Sequence, residues 1–193
     1  MRNTPLRRLL RLVVHRPRGD VSYPPEPSDY LPPGLDGGPG PTVDGIPVAH
    51  SRPDAHGWAP AVLAACRDPL PDGAPDLRGV WFVEHGRMRG MVQRIEQAGD
   101  RVVITVGWLV HDMRADGTLE GGVHDMDPTS DEVHVAAEFT DGRLDLRPNG
   151  GRVMVSRRLD PVDPDVMHWR YGPFRNRCRR LVEPPDGLAP PRA

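Results

Sequence analysis

Ala98-Gly99-Asp100-Arg101-Val102-Val103-Ile104-Thr105-Val106-Gly107-Trp108-Leu109-Val110 is the stretch that decides the fold class. Its first three residues read as a tight turn, and those that follow are mostly β-branched or apolar. Such a run suits the pleated surface of a strand better than a helix. Outward from this stretch the same texture recurs. Strands are expected over 79–83, 88–97, 101–106, 119–126, 133–139, 144–147, 153–158, 166–171 and 176–182. Asp116-Gly117 and Asp141-Gly142 are strong hairpin signals, because both residue types accept the positive φ of a two-residue turn. Short strands spaced about 8–12 residues apart, with no long crossover, predict an all-β fold. The specific expectation is an antiparallel up-and-down β-barrel of about 8–9 strands over residues 77–183.

The chain before the barrel, residues 1–76, has a different texture. Leu6, Leu9, Leu10, Val13 and Val14 give residues 5–16 one apolar side, so a short basic amphipathic helix is expected there. It either folds back on the barrel or attaches to a membrane surface or a partner. Residues 17–57 are dense in proline and glycine, as in Tyr23-Pro24-Pro25-Glu26-Pro27, and are expected to hold neither helix nor inner strand. Residues 59–67 read as a second short helix, with Val62, Leu63 and Cys66 as its apolar stripe. Residues 184–193 read as a flexible tail.

Composition limits the function classes. The 193 residues carry a formal net charge of −2, and all 25 basic residues are arginine. The Pro, Gly, Ala and Arg content suggests GC-rich coding DNA, as in actinobacteria. A nucleic-acid partner is not expected, since no basic stripe with an aromatic platform is present. Arg7, Arg8 and Arg11 interrupt the N-terminal apolar run, and no stretch approaches the ~18 apolar residues of a membrane span, so a cytoplasmic protein is expected and membrane association is not. Cys66 and Cys178 lie in no CxxC spacing, which argues against a thiolate zinc site and fits two reduced thiols. No motif calls for a cofactor.

Gly79-Val80-Trp81 on the first strand, with Arg175, Arg177, Arg179 and Arg180 near the last, resembles the marker of the calycin superfamily. In these lipocalin-like barrels the tryptophan closes the barrel floor and an arginine stacks across it. The resemblance covers residues 77–182 and implies a barrel with an internal cavity. Related barrels in bacterial natural-product pathways act as cyclases or isomerases, a fold-level analogy.

The tripeptides His111-Asp112-Met113 and His124-Asp125-Met126 flank the Asp116-Gly117 turn. If that turn is a two-residue loop, Leu109, His111, Met113, Glu120, His124 and Met126 share one face. Two parities are open. An unbroken even row, Val102 to Val110, would be the interior and leave both histidines outside. A bulge at Gly107 would turn His111 inward. Inward histidines would serve acid–base catalysis, with His111 or His124 as proton carrier and Glu120 as its partner. Trp81, Met91, Gln93, Leu109, Met113 and Met126 are the expected ligand-binding residues. The expected function is binding of a small, largely apolar molecule, with isomerase or cyclase chemistry as its catalytic form. One alternative is an interaction protein whose residues 1–57 wrap a partner protein. Another is an enzyme that holds a divalent metal on His111, His124 and Glu120.

Overall fold

The computed structural model describes residues 23–127 and 131–184. Ten antiparallel strands follow in chain order: β1 (Gly79–His85), β2 (Val92–Ala98), β3 (Arg101–Val106), β4 (Leu109–Arg114), β5 (Val123–Met126), β6 (Glu132–Thr140), β7 (Arg143–Pro148), β8 (Val155–Leu159), β9 (Val166–Tyr171) and β10 (Phe174–Leu181). The strand order is β4-β3-β2-β1-β10-β9-β8-β7-β6-β5. Every consecutive pair is therefore hydrogen-bonded except β4 and β5, and β1 joins β10. The sheet is a nearly closed up-and-down barrel with one seam, between β4 and β5. The strand count exceeds the expected 8–9 because the chain reverses at Gly107-Trp108 and makes β4 a separate strand.

That reversal settles the parity. Val106 faces Leu109, Ile104 faces His111 and Val102 faces Met113 across the β3–β4 ladder. A two-residue turn, with Gly107 at φ 59°, joins them. The even row of β3 thus continues as the odd row of β4, and His111 points inward. The unbroken even row from Val102 to Val110 does not exist. Val110 lies on the outer face with Val103, packed against Val43, Leu63 and Cys66 of the arm. Both faces of β3 are buried, so apolar residues occupy both parities and alternation there cannot mark the interior.

Of the two Asp-Gly turns, one behaves as expected. Asp141 (φ 49°) and Gly142 (φ 68°) join β6 to β7. Asp116-Gly117 does not make a hairpin between β4 and β5. The Asp116 carboxylate is taken by the Thr118 N–H and hydroxyl, and the Gly117 N–H donates to Ala137 O on β6. The loop crosses the seam, and the face-sharing built on a two-residue loop is lost. Gly122 ends this crossing, where a Cβ would sit 2.0 Å from Val135 O.

The interior core includes Leu77, Trp81, Val83, Ile95, Val102, Ile104, Leu144, Leu146, Met167 and Trp169. Trp81 is fully buried at one end, its indole N–H donating to Leu77 O at 2.7 Å. The Arg180 guanidinium lies 4.5 Å from the Trp81 ring centroid and donates to the carbonyls of Arg78, Asp76 and Pro164. A cation over the indole face, hydrogen-bonded to backbone carbonyls through its terminal nitrogens and paired with the Asp165 carboxylate at 3.2 Å, closes this end without an unpaired charge. The ten-stranded barrel is compatible with a calycin-like fold.

The arm packs outside β1 to β4. Its one-turn helix α1 (Pro27–Tyr30) starts at a proline, which the first helical position tolerates, within the stretch expected to exclude helices. Val43–Gly45 is a 3-10 turn, and residues 59–67 form turns rather than the expected helix. In that segment the Val62 and Leu63 N–H groups both donate to Glu96 on β2, which replaces helical hydrogen bonds. Ser51 spans the seam. Its N–H donates to Asp125 on β5, and its hydroxyl is bonded to both Val110 O and Val110 N on β4. Among the described residues, positions in the 23–57 stretch thus contact their own barrel, while much of the stretch stays exposed. The expected helix at 5–16 and the tail beyond 184 lie outside the described residues.

Candidate functional site

The barrel holds a cavity of about 330 Å³ that opens at one end, within the range of small-molecule sites. Met88, Met91, Ile104, Leu109, Val123 and Val155 supply apolar wall. The polar wall includes Gln93, His111, Arg157, Trp169 and Tyr171. Strand parity places each of them. Arg157 faces Trp169 across β8–β9, in the same inward rows as Val155 and Met167. Asp127, Asp131, Pro148 and Asn149 belong to strand-end loops and line the end opposite Trp81.

His111 is a half-buried imidazole of this cavity, to whose lining His134 also contributes. Its Nε2 lies 3.3 Å from Met126 O across the seam. A carbonyl only accepts, so the proton belongs on Nε2, and in the neutral ring Nδ1 is a free base. Burial pushes the His111 pKa below its ordinary value, outweighing the Met126 contact and the nearby Asp125 and Asp127 carboxylates. The neutral form is favoured at neutral pH.

The other residues expected to act with His111 are not brought to it. His124 is exposed on the outer face, its Nε2 2.7 Å from Leu119 O and its Nδ1 2.9 Å from His134 Nδ1. Glu120 is exposed in the loop across the seam and lines an outer groove together with His50 and His124. His111, His124 and Glu120 therefore do not converge. Among the described residues no group of three His, Cys, Asp or Glu side chains is arranged to hold a metal ion. Of the expected ligand-binding residues, Met91, Gln93 and Leu109 line the cavity. Met113 is buried in the core, Trp81 forms the far end, and Met126 contributes its carbonyl to His111.

Arg157 is the residue the sequence reading passes over. It is 5% exposed, and its Nη2 donates to Gln93 Oε1 at 3.2 Å. Its Nε and Nη1 have no hydrogen-bond partner, nor does the Trp169 indole N–H. The guanidinium carbon sits 5.0 Å from the Trp169 ring centroid. Burial lowers the Arg157 pKa to about 10, so the group still carries its charge at neutral pH. The signal was present in the alternation of Val155, Arg157 and Leu159. An arginine in register with core residues is an inward charge if the strand is single-sided.

Cys178, also inward, is a free thiol whose pKa burial raises to about 12. Cys66 is free as well and lies on the outer side of the wall under the arm, so the two thiols are separated by the sheet. No helix among the described residues is long and apolar enough to cross a membrane. No protein-family model matches the chain, and no curated protein matches it.

Proposed function

We propose that this barrel binds a small, largely apolar molecule in its interior. The observation that carries the reading is the cavity of about 330 Å³ walled by Met88, Met91, Ile104, Leu109 and Val155. Native cores pack to crystal-like density, so an apolar-walled opening of this size leaves its lining without protein packing partners. A ligand supplies those partners. The methionines suit this role, since thioether side chains adapt to irregular shapes.

The catalytic form of the reading rests on His111 alone. An unprotonated Nδ1 in an apolar cavity is a competent base for a carbon-bound or hydroxyl proton, and its conjugate acid can return that proton elsewhere, as an isomerase or cyclase requires. His124 and Glu120 take no part.

Titration with N-phenyl-1-naphthylamine, whose fluorescence rises in apolar surroundings, tests the binding reading. One saturable site is expected. Leu109→Trp, which fills the wall, is expected to weaken the probe at least tenfold while the strand signal in circular dichroism stays unchanged. Absence of saturable binding, or binding indifferent to Leu109→Trp, overturns the reading.

A further inference from the structure

We propose that the ligand is an acid: an apolar body with one oxyanion group, whose charge docks against the Arg157 guanidinium and the Trp169 indole N–H. This rests on the interior-binding reading above and names the chemistry of the same cavity.

A guanidinium has five N–H donors. On Arg157 one hydrogen bond is made, to Gln93 Oε1, and both Nε and Nη1 are left without an acceptor. Among the described residues it forms no salt bridge. The groups whose charge acts on Arg157 are Cys178 and Tyr171. Burial raises the pKa of both, so both are neutral at pH 7 and supply no counter-charge. A buried cation without a partner costs several kcal/mol, far more than a buried neutral polar group. The face of Trp169 offsets part of that cost.

The surroundings also have a consistent sense. Arg157 Nε, Arg157 Nη1 and Trp169 Nε1 are all donors, on two side chains that face each other across β8 and β9. Gln93 turns its own acceptor to Arg157 and its amide nitrogen toward Cys178 Sγ at 4.0 Å, so it orients the guanidinium without neutralising it. A donor cluster with a net positive charge selects an acceptor-rich anion, through charge-assisted hydrogen bonds. The wall beside this cluster includes the apolar Met91, Leu109, Val123 and Val155, which would hold the rest of the molecule. The carboxylates of Asp127, Asp131 and Glu132 also line the cavity, at the end opposite Trp81, and none of them is among the charges acting on Arg157. Carboxylate, sulfonate and phosphate monoester groups share the required chemistry.

Two probes that differ only in an acid group test this directly. 1-Anilinonaphthalene-8-sulfonate carries a sulfonate that N-phenyl-1-naphthylamine lacks. The wild-type chain is expected to bind the sulfonate at least tenfold more tightly at pH 7. Arg157→Met is expected to abolish that preference, weakening the sulfonate at least tenfold more than the uncharged probe. Trp169→Phe, which removes the indole N–H together with part of the ring, is expected to weaken the sulfonate about threefold more than the uncharged probe. Displacement by 1-naphthoate and by 1-naphthyl phosphate then ranks carboxylate against phosphate. If Arg157→Met fails to fold, Trp169→Phe and the wild-type preference still decide. Equal binding of the two probes by wild type, or a preference that survives Arg157→Met, overturns the anion proposal and leaves interior binding standing. If neither probe binds, both readings fall.

Discussion

Two arginines of this barrel are buried to nearly the same depth and treated in opposite ways. Arg101, on β3, is 3% exposed and lies on the outer side of the wall under the arm; Arg157, on β8, is 5% exposed and lies inside. All five Arg101 donors are used. Nε and Nη2 grip the Asp112 carboxylate at 2.9 and 2.6 Å, and the remaining hydrogens go to the carbonyls of Val43, Ile46 and Pro47. Asp112 in turn accepts the Ala49 N–H. Arg94 is likewise paired in charge, with Asp29 at 3.0 Å and Glu96 at 3.2 Å, and donates to Ala59 O at 2.7 Å, although its Nε makes no hydrogen bond. Arg157 has Gln93 and a tryptophan face. The contrast separates two uses of a buried cation. A caged arginine ties elements together; here it fastens the arm to the barrel. An uncaged one facing a cavity keeps its charge for something else.

The comparison breaks first on the caged side. Asp112→Ala removes the only carboxylate on Arg101 and leaves that charge buried, along with an unpaired Ala49 N–H. We expect a loss of about 3–5 kcal/mol in urea unfolding. A loss under 1 kcal/mol would mean that water or arm movement rescues Arg101, and the distinction drawn above would fail. A smaller effect of opposite sign is expected for Arg157. Replacing it with Met removes an uncompensated charge from an apolar cavity, and unfolding stability is expected to rise by about 1–2 kcal/mol. A marked destabilisation would show that Arg157 is structural after all.

The smallest effect concerns His111. Its folded pKa is lowered by burial, so the unfolded chain takes up the proton first as pH falls. Stability is therefore undiminished above the unfolded value of about 6.5 and declines as pH drops from there to the folded pKa, then levels off. Thermal midpoints from pH 7.5 to 5 should show this decline, and His111→Phe should flatten it. An unchanged profile in the variant would place the titrating group elsewhere.

Legibility varied by region for physical reasons. The hairpin at Asp141-Gly142 and strands β3 and β9 follow directly from local pattern, because turn chemistry and β-branching act within a few residues. Asp116-Gly117 carries the same dipeptide and makes no hairpin. There the loop's own polar contacts and a bond to Ala137 outweigh the local preference. The candidate site was half legible. Met91, Gln93, Leu109 and His111 were read as inward candidates, and all line the cavity. His124 and Glu120 were grouped with His111 by a register that the open seam does not provide.

The Trp81 end with an arginine over it was implied by the calycin resemblance; the residue pattern alone determined the all-β antiparallel class and a proline-rich arm unable to join the sheet. These depend on composition and short-range periodicity. The tertiary structure alone decided which face of β4 is interior, that Arg180 is the arginine over Trp81, and which buried arginine is neutralised. Alternation along a strand reports relative facing only, and it is silent where the arm buries the second face. Charge compensation is longer in range still: the carbonyls that cage Arg101 lie 54 to 58 positions before it in the chain. No local pattern could announce that they would arrive there, or that nothing comparable would reach Arg157.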